Sequence, residues 1–276
     1  MTMNPIERVP ERTKVVPIHA KIHPTAIVGA GAQIGADVEI GPYCIIGDNV
    51  TIGDGTRIGP RVVIEGWTHI GKNNRIYTGA VIGAEPQDLK YKGGKTYCFV
   101  GDDNIIREYV TISRGTEGGG AETRIGNNNM LQSLSHVGHD VQMGNGVILG
   151  HGSGVGGHVV IEDRVVIGGM CGIHQFTKIG RMAMIGAHSM ISKDVPPYAL
   201  VKGNPPKVYG VNIVGLRRNG LSPETRMEIQ RAFKILYRSG RNVSQAIEEM
   251  ERELPGSEEI DHFLRFLRSA DRGIYR

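Results

Sequence analysis

Five of the ten histidines lie between positions 136 and 174, and four of them, His136, His139, His158 and His174, fall near one edge of the repeat that the chain carries. His139 is followed directly by Asp140. A carboxylate beside an imidazole orients the ring and stabilises its protonated form, which is what a general base requires. The spacing adds to the chemistry. His158 and His174 lie 19 and 35 residues beyond His139, each one residue away from a multiple of 18. A lone histidine is usually a solvated side chain, so the case rests on four along one edge. Clustered histidines can also hold a metal. Here His136 and His139, three apart across a strand and a corner, would point different ways, and His174 is followed by Lys178 and Ile179 rather than a second histidine. No metal is therefore expected. There is no G-x-S-x-G nucleophile elbow and no phosphate loop. The run Gly118-Gly119-Gly120 reads as loop flexibility.

The number 18 matters because the chain repeats every six residues. From Ile22, steps of six land on Val28, Ile34, Ile40, Ile46, Ile52, Ile58, Ile64, Ile70, Ile76 and Ile82. A second run holds Val100, Ile106 and Ile112, and a third goes from Ile125 to Ile191 in the same steps. The next residue is often glycine, and the fourth after it is small or Val, as at Ala26, Ala32, Val38 and Cys44. A period of six fits neither an α-helix nor an ordinary strand. It fits short strands joined by tight turns, three hexads closing one triangular coil. The coils stack about 4.8 Å apart with the aliphatic residue inward, nearly nine of them, and the three spaced histidines gather within roughly 10 Å along one corner. The glycine beside each aliphatic is expected to supply a positive φ at the corner. The fold class is thus an all-β solenoid, a triangular prism of parallel strands. Its axis is filled, so a site must sit on a face, a corner or a boundary between subunits.

Two segments interrupt the period, 84–99 and 113–124, and loops ejected from a regular solenoid usually carry function. Residues 1–18 are an N-terminal extension, and the β-helix is expected over 19–196. Prolines at 196, 197, 205 and 206 are expected to end strand pairing, leaving 197–276 as a linker and a C-terminal α-helical domain. Ser222 caps a helix that Pro223 starts and Gly240 ends, with Met227, Ala232, Phe233, Leu236 and Tyr237 apolar at helical spacing. Further helices are expected over 244–253 and 257–269.

Composition excludes other classes. Of 276 residues, 40 are glycine and only 5% are aromatic, so the core must be narrow and aliphatic. Hydrophobic content of 39% is too high for a disordered chain. No run is long enough to span a membrane, and the N-terminus lacks the apolar stretch of a signal peptide. Three cysteines at no metal spacing read as reduced thiols, hence a cytoplasmic protein. A net charge of +4, without a basic stripe interleaved with aromatics, does not call for nucleic acid.

The hexad pattern resembles the left-handed parallel β-helix of the hexapeptide-repeat acyltransferases. Within that group the chain resembles the UDP-N-acetylglucosamine acyltransferases that open lipid A synthesis. The resemblance rests on HPTAIVGAGAQIG (23–35), QDLKY (87–91), IREYVTISRGT (106–116), SHVGHD (135–140), GGMCGIHQFTKIG (168–180), DVPPY (194–198) and GVNIVGLRR (210–218). It implies the left hand of the coil, a homotrimer with sites between subunits, and no cofactor. It also implies transfer of a 3-hydroxyacyl chain from acyl carrier protein to the 3-hydroxyl of UDP-N-acetylglucosamine, or to its 3-amino analogue. His139 matches the general base, Asp140 its carboxylate, and the Gly157 N–H the oxyanion donor. His136, His158, His174 and Gln175 match sugar and acyl contacts. Asp88 and Lys90 match residues holding substrate across the subunit boundary. Asn212 and Arg218 match contacts to the nucleotide, and Ala187 matches the residue that stops the acyl tail. The chain departs from the pattern at Ser113, where histidine is usual, at Val214, where glutamate is usual, and at Asn219, where a second arginine is usual. The alternatives are another hexapeptide-repeat acyltransferase using a coenzyme A thioester, and a non-catalytic solenoid scaffold.

Overall fold

The computed structural model describes residues 19–254 and 256–275; the expected extension over 1–18 lies outside them. Among the described residues the strands form three sheets of eleven, nine and eight strands. Each hexad gives one strand, mostly two residues long, ending on the aliphatic residue of the repeat. Strands 18 residues apart pair in parallel, as Ile22 does with Ile40, Val137 with Val155 and Val160 with Lys178, and inserted loops lengthen the step elsewhere. The three sheets are the faces of a prism, here called first, second and third in the order the chain visits them. Side chains alternate along each strand, so the aliphatic points to the axis. Ile64, Ile82, Ile106, Ile112, Val137 and Val155 are fully buried. Each such burial contributes about 1.5–3 kcal/mol. The small fourth residues, among them Val38, Cys44 and Val62, fill the inner corners.

The glycines after the aliphatic residues do a different job from the one expected. Gly35, Gly53 and Gly138 do not carry positive φ. They lie where stacked coils touch. A methyl on Gly35 would come within 2.7 Å of the Asp54 amide, and one on Gly53 within 2.6 Å of the Gly71 carbonyl carbon. The left-handed conformation falls two residues later, on Asp37, Tyr43, Asn73, Asp103, Asp140, His158 and Phe176, with φ between 54° and 64°.

Both insertions leave the prism beside the second face and rejoin it in the third. The first runs between strands Val81–Ala84 and Tyr97–Val100, the second between Thr111–Ser113 and Glu122–Ile125. Their outer residues are thus in strands, so the loops are shorter than the sequence period suggests.

The prolines do not end the pairing. Ala199–Lys202 adds to the first face beside Met184–Ile185, and Lys207–Val211 pairs with it antiparallel. Pro205 and Pro206 sit in the turn between these two strands, where no ladder donor is required. Four helices follow: α1 (Ile213–Arg218), α2 (Pro223–Arg238), α3 (Val243–Glu253) and α4 (Glu258–Arg268). Ser222 caps α2 and Asn242 forms a capping box with Gln245 on α3. In α2 the buried residues are Ile229, Ala232, Phe233 and Leu236, while Met227 is exposed. The helices dock on the last coils. Fully buried Tyr198 accepts from Arg181 Nε at 2.8 Å, and His262 Nε2 lies 2.7 Å from Glu162 Oε2.

Candidate active site

The second face delivers the site. Strand His136–Val137 puts Val137 into the core and His136 outside. Gly138, His139 and Asp140 then turn the corner toward the third face, with Asp140 at φ 58°. One coil further, Gly156, Gly157 and His158 occupy the same three places; one more brings His174, Gln175 and Phe176. The single-residue offsets in the histidine spacing therefore matter. The three histidines do share one corner, but each stands in a different column of it.

His139 stacks over Gly157 and His158 over Phe176. A methyl on Gly157 would meet the His139 ring at 2.5 Å, so this place requires glycine. The His158 and Phe176 rings are parallel, with centroids 4.4 Å apart, and the His139 and His158 rings meet edge to face at 5.0 Å. His139 Nδ1 lies 2.8 Å from Asp140 Oδ2. With Nδ1–H given to that carboxylate, Nε2 is the nitrogen left to accept a proton. The Asp140 side chain is fully buried. It accepts from the Thr116 amide at 3.0 Å and the Thr116 hydroxyl at 2.7 Å, while its own amide donates to Thr123 Oγ1 at 2.8 Å. Thr116 belongs to the second insertion. So does Gly119, where a methyl would meet Asp140 Oδ2 and His158 Cε1. Within the run Gly118-Gly119-Gly120, Gly119 is a close approach to the site, while a methyl on Gly118 or Gly120 would meet nothing within 4 Å.

In front of His139 lies an open cleft of about 400 Å³. It brings together His136, His139, Gly157, His174 and Gln175, and adds Gln87 from the first insertion and Ser113. Asp140 and His158 stand just behind it. The Gly157 amide makes no hydrogen bond to any described residue. Burial, reinforced by the His139 charge, holds the His136 imidazole below its ordinary pKa, and its Nδ1 lies 2.7 Å from Thr111 Oγ1. Burial also lowers His158, against the opposing pull of Asp140 and Asp88. His174 Nδ1 lies 3.0 Å from the Gln175 carbonyl oxygen and donates to it.

On the first insertion, Asp88 Oδ1 accepts from the Lys90 amide at 2.9 Å, and Lys90 is exposed. Neither residue lines the cleft, and three further predicted residues lie away from it. Ala187 follows Ile185 of the first face, so it sits at the corner joining the first and second faces, across the second face from His139. The Asn212 carboxamide is committed at both ends, accepting from Gly215 N at 3.0 Å and donating to Met182 O at 2.9 Å. Arg218 is exposed in the last turn of α1. A larger hollow of about 670 Å³ lies on the third face over His69, Phe99 and Arg124, and no candidate catalytic residue lines it. His139, Asp140 and His158 present three ligand atoms within 4.8 Å of one another. This is a different trio from those the histidine spacing suggested for a metal. Sequence reasoning gave no role to Thr116 or Thr123, and it named Gly119 and Gln87 without placing them at the site: Thr116, Gly119 and Gln87 lie in loops that carry no period, and Thr123 lies in the strand Glu122–Ile125 ahead of the third run.

Comparisons with known proteins agree with this geometry. The family model for bacterial transferase hexapeptides (six repeats) matches residues 19–53, 49–84 and 122–157. The model for UDP-N-acetylglucosamine O-acyltransferase, domain 2, matches residues 194–275. An acyl-[acyl-carrier-protein]–UDP-N-acetylglucosamine O-acyltransferase of Anaeromyxobacter sp. (strain Fw109-5) is 49% identical over 92% of this chain and 99% of its own. The one from Myxococcus xanthus is 46% identical over 93% and 100%. Among solved structures, LpxA from Acinetobacter baumannii superposes with a TM-score of 0.90 at 45% identity, covering 92% of this chain and 99% of that one. The Arabidopsis UDP-N-acetylglucosamine acyltransferase gives 0.80 at 33% identity, covering 92% and 100%. A left-handed parallel β-helix with a C-terminal helical segment, carrying a His-Asp pair at a cleft, the chain belongs to the family of acyl-[acyl-carrier-protein]–UDP-N-acetylglucosamine O-acyltransferases.

Proposed function

We propose that this chain transfers an (R)-3-hydroxyacyl group from acyl carrier protein to the 3-hydroxyl of UDP-N-acetylglucosamine, the first step of lipid A biosynthesis. One observation carries the chemistry. With Nδ1 tied to Asp140, His139 turns Nε2 to a cleft that also contains the unpartnered Gly157 amide. His139 Nε2 takes the proton from the sugar hydroxyl as that oxygen attacks the thioester carbon. The carbonyl oxygen gains the electron pair, and the Gly157 N–H donates to it. When the intermediate collapses the C–S bond breaks, and the imidazolium returns the proton to the departing thiolate. The products are an ester on the sugar and a free carrier-protein thiol. A thioester is activated enough that no acyl-enzyme is needed.

His136, kept neutral by burial, contacts the sugar without adding a charge. His158, His174, Gln175, Asp88 and Lys90 complete the sugar and acyl contacts. Asn212 and Arg218 serve the nucleotide, and Ala187 stops the acyl tail; these three act across a boundary between copies. The second copy is argued from an exposed apolar line. Tyr43, Tyr109, Leu134 and Met170, at 54–62% exposure, stand on the corner between the first and second faces, interrupted by Arg61, Gly79 and Gly152 in the same column, which runs up beside Ala187. Three such edges packed about a three-fold axis bury that line and close the second face into a groove. These exposed residues support the reading of the chain as a homotrimer. Three buried, unpaired cysteines fit the reducing cytoplasm, where acyl carrier protein is available. Among the described residues, no helix is long and apolar enough to cross a membrane.

The test is turnover of His139→Ala with 3-hydroxyacyl carrier protein and UDP-N-acetylglucosamine. Loss of the base should lower kcat by about 10²–10⁴-fold with fold and assembly intact. Retention of more than about a tenth of the rate would remove His139 from that role.

A further inference from the structure

The second insertion reaches back to the prism at Thr116, which meets the carboxylate beside the base. Thr116 is 5% exposed. Its hydroxyl donates to Asp140 Oδ2 at 2.7 Å, the same oxygen that lies 2.8 Å from His139 Nδ1. Its amide donates to Asp140 at 3.0 Å. A buried carboxylate free to rotate could offer His139 either oxygen, or neither. Two donors from one residue remove that freedom and leave Oδ2 facing the imidazole. Hydrogen bonds to a buried charge are among the strongest a protein makes.

The loop that presents Thr116 is itself held. Arg114 is 6% exposed and donates to the Gly83 carbonyl at 2.9 Å and to the Tyr91 hydroxyl at 3.1 Å. Glu117 Oε1 accepts from the Gly94 amide at 2.7 Å. The Ala121 and Gly119 amides both donate to the Thr116 carbonyl, at 3.0 and 3.1 Å. Residues on both sides of Thr116 are thereby fastened to the first insertion, which carries Asp88 and Lys90.

We propose that Thr116 is a positioning residue for the transfer reaction: the second insertion exists to lock the Asp140 carboxylate so that His139 keeps the tautomer and orientation of a base. The proposal rests on the reading of His139 as that base. Thr116 touches no reacting atom and acts through Asp140 alone.

Thr116→Val and Thr116→Ser in the full chain separate this role from packing. Valine keeps the shape and the backbone donor and loses the hydroxyl; serine keeps the hydroxyl and loses a methyl. In steady-state assays, the valine variant should lose kcat by roughly 10- to 100-fold, the range set by one hydrogen bond to a charged group, with KM for both substrates unchanged. The serine variant should stay within about threefold of the parent in kcat, since it keeps both donors to Asp140 and loses only the burial of one methyl that touches no reacting atom. The serine variant should match the parent in Tm, whereas the valine variant, which takes a donor from a buried carboxylate, should melt somewhat lower. Full kcat in the valine variant, with His139→Ala inactive, overturns the proposal while leaving the base assignment standing. A valine variant that loses kcat and Tm together, with serine no better, makes Thr116 a packing residue and overturns it as well. An active His139→Ala removes the base reading, and this proposal with it.

Discussion

A single oxygen, Asp140 Oδ2, organises the residue scale. It faces His139 Nδ1 at 2.8 Å and the Thr116 hydroxyl at 2.7 Å, and lies 3.9 Å from His158 Nε2. Around it, burial holds His136 and His158 below the ordinary imidazole value of 6.5. That has a consequence for stability. Below the unfolded pKa the unfolded chain binds protons that the native rings refuse, so the unfolded state gains. The contribution is complete above about pH 6.5 and is lost as pH falls from there toward the lowered native values. Melting followed by circular dichroism between pH 7.5 and 5 should therefore show Tm falling with acidification. His136→Asn, which removes the more buried of the two rings, should flatten that slope. An equal slope in the variant would mean that His136 titrates alike in both states.

At the scale of elements, the coil edge that holds His139 depends on a glycine that nothing strains. A methyl on Gly138 would stand 2.9 Å from the Gly156 carbonyl carbon and the Gly157 amide nitrogen of the next coil. That neighbour is backbone and cannot swing aside. Gly138→Ala should cost about 1–3 kcal/mol, as overpacking does, and should push the Gly157 N–H away from its place opposite His139. Urea unfolding and turnover should both report it; parental values in both would show that the stacked coils separate freely. The hexads were legible because each coil repeats the same inward and outward choices within six residues. The glycine's reason was not, since close approach and positive φ use the same residue. Left-handed corners occupied by Tyr43, His158 and Phe176 carry no sequence mark, whereas Asp37 and Asn73 are ordinary for that conformation. Pro205 and Pro206 read as an end to pairing but sit in a turn between paired strands, which has the same composition. Thr116 lay beyond any periodic argument, because its contact with Asp140 spans 24 residues and one ejected loop.

For the whole molecule, the prism explains why the chemistry sits at an edge. Its axis is filled by aliphatic side chains, so one copy offers only an open cleft. His139 and Ala187 lie at opposite ends of the second face, and the apolar line of Tyr43, Tyr109, Leu134 and Met170 runs beside Ala187. In the proposed assembly a second copy covers that face and makes a groove long enough for an acyl chain. From the sequence, the histidine row and the fold could be read, but the distribution of the histidines over three columns of one corner could not, because register decides which column each occupies. The account stands or falls on acyl transfer from a carrier protein to a sugar nucleotide. Mass spectrometry of the products formed by the purified chain from (R)-3-hydroxyacyl carrier protein and UDP-N-acetylglucosamine tests this most directly. The account predicts one hydroxyacyl group added to the sugar nucleotide through an ester, with stoichiometric release of carrier-protein thiol. An unmodified sugar nucleotide beside intact thioester, or transfer only from a coenzyme A thioester to a small amine, would contradict it.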